Sequence, residues 1–194
     1  IGLELFLLIK DPWRIYLTTD HPNGAAFTAY PKLIKLLMDK SFRDGEFEKI
    51  NKEAQKSSVL GNLKREYSLY DIAILTRAGP AKVLGLTNIG HLGIGAKANI
   101  TVYNNKEDKE EMFENPFMVF KDGNLIVKNG KIQKVFNGKF YTAETDFDKK
   151  IEKEISSYFQ KYMSRGMESF KIKNQELWDY GIETENIKCD RNDY

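Results

Sequence analysis

The sequence predicts an α/β fold in which a strand–helix unit is followed by an antiparallel β-meander and a terminal helix. The segment from Arg14 to Thr19 is β-branched and aromatic and stops at a cluster of turn formers, as a buried strand does where it enters a loop. Residues at helical spacing come next. Further along, short apolar runs alternate with dipeptides that end in glycine, which is the pattern of β-hairpins.

A helix is predicted directly after the first loop. Thr28 can cap this helix, and Pro31 suits its first turn because proline needs no donor there. The helix should run to about Lys40, with one apolar face made of Leu33, Ile34, Leu37 and Met38. Residues 41–66 are polar and charged, so we expect an exposed excursion there with one weak helix and little chemistry.

Two shorter helices are predicted after this excursion. Ser68 with Asp71 has the spacing of a capping box, which predicts a helix over residues 69–77. Pro80 then opens a second helix, and Gly85 closes it.

The next part of the chain predicts a β-meander. We expect strands at residues 100–103, 117–121, 125–128, 132–136 and 140–142. The last four strands are joined by Asp122-Gly123, Asn129-Gly130 and Asn137-Gly138, whose residues tolerate the positive φ of tight hairpins. The charged stretch from Asn104 to Glu111 is expected to be a solvated loop.

A terminal helix is predicted after the meander. Its apolar residues lie at helical spacing: Phe147, Ile151, Ile155, Tyr158, Phe159 and Tyr162. Gly166 ends this helix, and a polar tail follows it.

Composition limits the functions that are open to the chain. A chain of 194 residues, 41% of them hydrophobic, can bury one substantial core. Its 30 basic and 28 acidic residues leave a net charge of +2, so charge gives no argument for nucleic acid as a partner. The apolar run from Leu3 to Ile9 is too short to span a bilayer. The single cysteine, Cys189, allows no internal disulfide, and we expect a cytoplasmic setting.

Two segments together resemble the amidohydrolase superfamily. The first is the strand-to-loop segment that ends in Asp20, and the second is SLYDIAILTRAGPAKVLGL with GHLGIGAKANITVYN, from Ser68 to Asn104. The second segment is similar to the closing signature of the superfamily, although Asn99 stands where an aspartate is usual. Within the superfamily, DPWRIYLTTDHPNGAAFTAYP and TRAGPAKVLGL are similar to the family formed by the A subunits of formylmethanofuran dehydrogenases, over roughly residues 1–165.

The resemblance implies a division of the chain into three parts. Residues 1–86 would be the C-terminal end of a (β/α)8 barrel, with its last strand–helix unit. Residues 87–142 would be the meander of a composite β domain, and residues 143–194 a helical C-terminal extension. The active site of such a barrel lies at the C-terminal ends of its strands.

The resemblance also implies roles for the residues of the first loop. The aspartate at the end of the last strand ligates one of two divalent metal ions, for which we expect zinc, and carries a proton to the leaving amine. Asp20 is therefore expected to be catalytic and metal-binding. From their place in the same loop, His21, Asn23 and Gly24 are expected to bind substrate; the alternatives are a solvent-facing histidine for His21 and a simple tight turn for Asn23-Gly24. Without the resemblance, an aspartate in this context is more often a turn former.

A count of ligands limits what the chain can do alone. Members of the superfamily use a His-x-His pair, a carboxylated lysine and two further histidines. This chain has two histidines, His21 and His91, and no His-x-His. It opens at Ile1 inside an apolar run, as a sequence entered midway would. We therefore expect the chain to need the missing N-terminal half of the barrel, and to be inactive and without a tightly bound metal by itself.

The implied function is the condensation of formate with the amine of methanofuran, and the reverse hydrolysis, in methanogenic fixation of carbon dioxide. The implied partners are the pterin subunit, with tungsten or molybdenum, and iron–sulfur subunits of the same complex. Two alternatives remain open. The chain can derive from another amidohydrolase, such as a dihydroorotase- or hydantoinase-like cyclic amidase, or it can be a non-catalytic assembly module.

Overall fold

The computed structural model describes residues 2–171, 173–178 and 180–188. Before the first strand, its regular elements are six helices and several short helical turns. The helices are α1 (Gly2–Leu8), α2 (Tyr30–Met38), α3 (Lys40–Glu48), α4 (Lys52–Lys56), α5 (Leu69–Ala73) and α6 (Gly79–Val83). A π turn over Ile74–Ala78 joins α5 to α6, and 3-10 turns lie at Pro12–Arg14, Phe27–Ala29 and Leu60–Asn62. The predicted helices after the first loop, after Ser68 and at Pro80 are confirmed.

Helix α2 carries the apolar face that the sequence predicted, with Ile34 and Leu37 buried. It begins after Ala29 rather than at Thr28, because a 3-10 turn occupies the expected cap position. It also ends earlier than predicted. Asp39 leaves the helical region at φ −126° and ψ 102°, and its carboxylate accepts a hydrogen bond from the Phe42 N–H at 2.8 Å, which caps α3.

Residues 41–66 form two helices instead of the one that the sequence predicted, and the start of the segment is packed against α2. The reason is Arg43, which is 1% exposed. Its guanidinium donates to the carbonyls of Leu36 at 2.8 Å, Leu63 at 3.2 Å and Arg65 at 3.0 Å. The segment therefore folds back against the end of α2 at Arg43, while most of its later residues, from 48 to 57, are exposed as the sequence predicted.

The main hydrophobic core lies between α1, α2 and α5. Its buried members are Leu7, Ile34, Leu37, Tyr67, Ile72 and Leu75. The Tyr67 hydroxyl donates to the carbonyl of Phe6, so the polar end of this buried ring is satisfied. Ser68 and Asp71 form the capping box that the sequence predicted, and this capping box fixes where α5 begins.

The predicted meander is confirmed over four strands. They are β1 (Ile100–Val102), β2 (Met118–Lys121), β3 (Asn124–Lys128) and β4 (Lys131–Ile132), antiparallel and in chain order. Asp122 and Gly123 have φ of 48° and 77°, and Asn129 and Gly130 have φ of 50° and 71°. Both residues of each turn are thus left-handed, which suits the twist of a two-residue hairpin.

The third predicted hairpin, at Asn137-Gly138, is wrong. Strand β5 (Lys139–Glu144) leaves the meander and pairs in parallel with β6 (Glu183–Lys188) in a separate two-stranded sheet. The side-chain amide of Asn137 donates to the carbonyl of Gly181 at 3.2 Å. The Asn137-Gly138 dipeptide therefore precedes β5 of the second sheet and does not form a hairpin turn.

A helix, α7 (Lys109–Glu114), lies where the sequence predicted a solvated loop. The Asp108 carboxylate accepts from the N–H groups of Glu110 at 2.9 Å and Glu111 at 3.2 Å, which caps the helix. Met112 is buried. Lys35 of α2 donates to Asp108 at 2.7 Å, so α7 is also tied to α2 by an ion pair.

The chain forms two compact units, residues 1–135 and residues 136–194, and the predicted boundaries at residues 86 and 142 remain predictions. The second unit contains β5, β6, α8 (Ile151–Tyr162) and α9 (Asn174–Trp178). Helix α8 confirms the predicted terminal helix. Cys189 lies outside the described residues. In the part of the chain that the structure describes, no helix has the length and hydropathy needed to cross a membrane.

Glu46 of α3 is held by two lysines. Lys49 donates to its carboxylate at 2.5 Å, and Lys32 of α2 lies 2.9 Å from the other carboxylate oxygen. The hydrogen bond from Lys49 and then that from Lys32 lower the pKa of Glu46 to about 2. Ionised Glu46 therefore stabilises the contact between α2 and α3.

This pKa predicts a loss of stability in acid. The folded-state pKa lies below the usual value for glutamate of about 4.3. The contribution of Glu46 is therefore complete above that usual value and is lost as the pH falls toward about 2. We expect Glu46→Gln to flatten the dependence of unfolding free energy on pH in this range, measured by urea titration at several pH values. Glu48→Gln, on the exposed side of the same helix, is the control. An unchanged slope in Glu46→Gln would contradict the assignment.

Candidate functional site

The segment before the first loop is extended but is not a strand. Ile15 has φ −138° and ψ 149°, and residues 15–20 pair with no strand in the described part of the chain. The predicted strand from Arg14 to Thr19 is therefore wrong as a paired element. The local pattern favours an extended backbone, but a strand also needs a neighbour, and the described residues provide none.

One backbone hydrogen bond joins this segment to the helices, from the Leu17 N–H to the Leu75 carbonyl at 3.3 Å. The π turn makes that carbonyl available. The Gly79 N–H donates to the Ile74 carbonyl, five residues back. The next bond of this kind would join residue 80 to the Leu75 carbonyl, but Pro80 has no N–H to donate. The Leu75 carbonyl therefore accepts from Leu17 instead.

Gly79 lets the same segment approach closely. A Cβ on Gly79 would lie 2.9 Å from Cε1 of Tyr16. Glycine is thus required where the Tyr16 ring meets the π turn. The structure brings together the two segments that carry the resemblance, because the Ala78-Gly79-Pro80-Ala81 turn supports the chain that leads to Asp20.

The loop after this segment is closed by its own backbone. Asp20 is left-handed, with φ 52°. Gly24 donates to the carbonyl of Asp20, and Ala25 donates to the carbonyl of Thr19, both at 2.8 Å. The Asp20 N–H donates to the Thr18 hydroxyl at 3.2 Å, and Thr19 is buried. The backbone on both sides of Asp20 is therefore fixed.

The Asp20 carboxylate is available to a ligand. Asp20 is exposed, and its carboxylate forms no hydrogen bond or ion pair with any other residue that the structure describes. Its backbone is held while its acid group is unpaired. This arrangement can present a proton acceptor or an anionic ligand at a defined position.

The other predicted residues of the loop lie beside Asp20 in the chain. His21 is the next residue, and the peptide bond between His21 and Pro22 is cis. The His21 ring packs edge-on against the Phe27 ring, with ring centroids 5.2 Å apart. Asn23 is exposed. The Gly24 N–H is used within the loop. The predicted binding of substrate by His21, Asn23 and Gly24 stays a prediction.

His91 is not part of this loop. Its Nε2 lies 2.9 Å from the carbonyl of Thr87, and its Nδ1 accepts from the N–H of Gly93 at 3.1 Å. Both ring nitrogens are therefore occupied by the backbone, as expected for a structural histidine. Among the described residues, no three His, Cys, Asp or Glu side chains lie close enough to hold a metal ion. The described residues therefore do not form a metal centre by themselves.

Sequence reasoning missed Thr18 and Leu75. A threonine two residues before an aspartate in a turn is an available signal for Thr18, because its hydroxyl can accept from the backbone. Leu75 acts through its carbonyl, and no side-chain pattern marks it.

The site thus has an acid group on a closed loop. A helical turn supports the segment before the loop, and a β layer follows later in the chain. The resemblance implies this order of features for the C-terminal part of an amidohydrolase. Residues 3–131 match the model of the amidohydrolase family, and the chain belongs to that family.

Individual relatives narrow the comparison. The A subunit of the formyltransferase/hydrolase complex Fhc from Methylorubrum extorquens is 41% identical over 189 residues, which cover 97% of this chain and 34% of that protein. Protein FwdA of Methanocaldococcus jannaschii is 38% identical over 205 residues, which cover 100% of this chain and 35% of that protein. The chain spans about a third of the length of the curated relatives that it matches.

A solved structure agrees with these relatives. The chain superposes with a TM-score of 0.83 and 41% identity on a chain of the Methylorubrum extorquens FhcABCD complex with methylofuran. The match covers 97% of this chain and 35% of that one. The predicted resemblance to the A subunits of formylmethanofuran dehydrogenases is thus confirmed.

Proposed function

We propose that the chain is the C-terminal part of an amidohydrolase-like subunit that forms and hydrolyses the formyl amide of a methanofuran-type amine. We refer to the whole polypeptide as the intact subunit. The single observation that carries this proposal is the exposed, unpaired Asp20 carboxylate on its closed loop. The 41% identity to a component of a formyltransferase/hydrolase complex supports the choice of a formyl group.

Hydrolysis of a formyl amide needs a group that moves one proton. Water adds to the formyl carbon, the C–N bond breaks with its electron pair going to nitrogen, and nitrogen takes up a proton to leave as the amine. In this scheme Asp20 accepts the proton of the attacking water and returns it to the leaving nitrogen. The condensation of formate with the amine follows the same path backwards.

Asp20 is also the ligand that this chain contributes to a metal centre in our proposal. The other ligands would come from parts of the intact subunit outside this chain, since the described residues hold no cluster that could bind a metal ion. Two divalent ions, for which we propose zinc, would acidify bound water and polarise the formyl oxygen. His21 and Asn23 would contact the substrate from the same loop.

The proposed architecture follows from the family. The extended segment before Asp20 would be the last strand of a (β/α)8 barrel, and strands from the remainder of the intact subunit would pair with it. We propose that the intact subunit works in the cytoplasm. We also propose that it assembles with further subunits, since the Methylorubrum extorquens chain that it resembles is part of the FhcABCD complex. Pterin subunits with tungsten or molybdenum and iron–sulfur subunits are the proposed partners when the formate comes from carbon dioxide.

The test is the release of formate by the intact subunit in its complex. With the N-formyl derivative of a furan-bearing amine as substrate, we expect formate and free amine in equal amounts. Hydantoin is the matched control substrate, because its cyclic amide suits the alternative class of amidohydrolase. The isolated 194-residue chain should release no formate. Opening of hydantoin without release of formate would overturn the proposal.

A further inference from the structure

We infer that Gly24 is a positioning residue that fixes the direction of the Asp20 carboxylate. The inference rests on the proposed function, because it concerns how Asp20 is held for proton transfer. It differs from the predicted role of Gly24 in binding substrate. The Gly24 N–H already donates to the Asp20 carbonyl at 2.8 Å, so this N–H is not available to a substrate.

Gly24 lies against the peptide that joins Thr19 to Asp20. A Cβ at position 24 would lie 2.6 Å from the Thr19 carbonyl oxygen and 3.2 Å from the Cβ of Asp20. The N–H of Ala25 donates to the same Thr19 carbonyl at 2.8 Å. A larger residue than glycine must therefore push on the backbone from which the Asp20 side chain extends.

The contact with Gly24 is important because Asp20 has a left-handed backbone conformation. Its φ of 52° lies in the left-handed region, which aspartate tolerates better than most residues but still adopts in a minority of cases. Such a conformation persists when its surroundings hold it. Thr18 holds the N–H of Asp20 at 3.2 Å, and Gly24 holds its carbonyl. If the contact with Gly24 opens, Asp20 can return to a negative φ, which turns its carboxylate away.

A double-mutant cycle in the intact subunit, together with its partners, tests the inference. We expect Gly24→Ala to lower kcat for release of formate on the order of 10- to 100-fold with little change in KM, because a small misplacement of an acid–base group slows the chemical step. In the Asp20→Asn background, Gly24→Ala should have no further effect, since there is no acid group left to position. Gly45→Ala is the matched control, because a Cβ there meets nothing within 4 Å.

The outcomes separate this inference from the proposed function. If Asp20→Asn lowers kcat but Gly24→Ala keeps wild-type kcat, or slows both backgrounds by the same factor, the positioning role is overturned and the proposed function stands. If Asp20→Asn keeps wild-type turnover, the catalytic role of Asp20 fails, and the positioning role fails with it.

A second variant covers the case in which Gly24→Ala does not fold. Thr18→Val keeps the shape of the side chain and removes the acceptor for the Asp20 N–H. We expect a several-fold loss of kcat that is again absent in the Asp20→Asn background. An unchanged kcat in Thr18→Val would show that turnover does not depend on how the backbone of Asp20 is held, which would overturn the positioning role of Gly24 as well.

Discussion

Replacing Asp20 with asparagine is expected to lower the rate at which the intact subunit releases formate by about 10²- to 10⁴-fold. The amide has the size of the carboxylate but cannot take up and return a proton. Asparagine also tolerates the left-handed backbone that Asp20 adopts at φ 52°, so the loop should keep its shape. Steady-state kcat and KM with the formylated amine measure the effect, and we expect most of it in kcat.

Asp122→Asn is the control for this experiment. Asp122 is also left-handed, with φ 48°, and it lies in the hairpin between β2 and β3. Asparagine followed by glycine suits this turn, so the substitution changes the same atoms at the same kind of backbone position without touching the loop. We expect wild-type rates. Turnover within about twofold of wild type in the Asp20→Asn variant would remove Asp20 from the mechanism.

Replacing Arg43 with methionine is expected to lower the free energy of unfolding by roughly 3–5 kcal/mol. Three part-buried carbonyls lose their donor, each at the lower end of the cost of about 1–3 kcal/mol for an unsatisfied group. The guanidinium joins three carbonyls, those of Leu36, Leu63 and Arg65, and the side chain is almost fully buried. Methionine fills similar space but donates no hydrogen bond. Urea unfolding of the 194-residue chain, followed by circular dichroism, measures the loss.

Arg77→Met tests whether the effect belongs to the buried site. Arg77 is exposed, and its guanidinium donates to the carbonyl of its neighbour Thr76. We expect a change within about 0.5 kcal/mol, as is usual for exposed positions. If Arg43→Met is as stable as Arg77→Met, then the three carbonyls are satisfied in another way.

Features that depend on near neighbours in the chain could be predicted. The capping box of Ser68 and Asp71 needs residues three apart, and the turns at Asp122-Gly123 and Asn129-Gly130 need two residues that accept positive φ. Their chemistry is contained in a few consecutive letters of the sequence.

Features that depend on distant segments could not be predicted in the same way. Asn137-Gly138 carries the same hairpin signal, but β5 finds its partner in β6, far along the chain. The burial of Arg43 could not be predicted, because its three carbonyl partners lie on segments that only the fold brings together. The extended segment before Asp20 has the composition of a strand, but pairing is a property of two segments.

The candidate site was only partly visible in the sequence. Asp20 stood out through the family resemblance, because its own neighbours favour an ordinary turn. The support from the Leu75 carbonyl depends on the register of the π turn, which no residue type specifies. The contact of Gly24 with Thr19 requires the loop to close on itself, which depends on the folded structure.

The most direct test of the role of Asp20 is a crystal structure of the intact subunit in its complex with the formylated amine bound. We predict that a carboxylate oxygen of Asp20 lies within about 3–3.5 Å of the site where water attacks the formyl carbon, as a proton-transfer group must. A carboxylate on the outer surface, with the bound formyl group elsewhere, would contradict the proposed function.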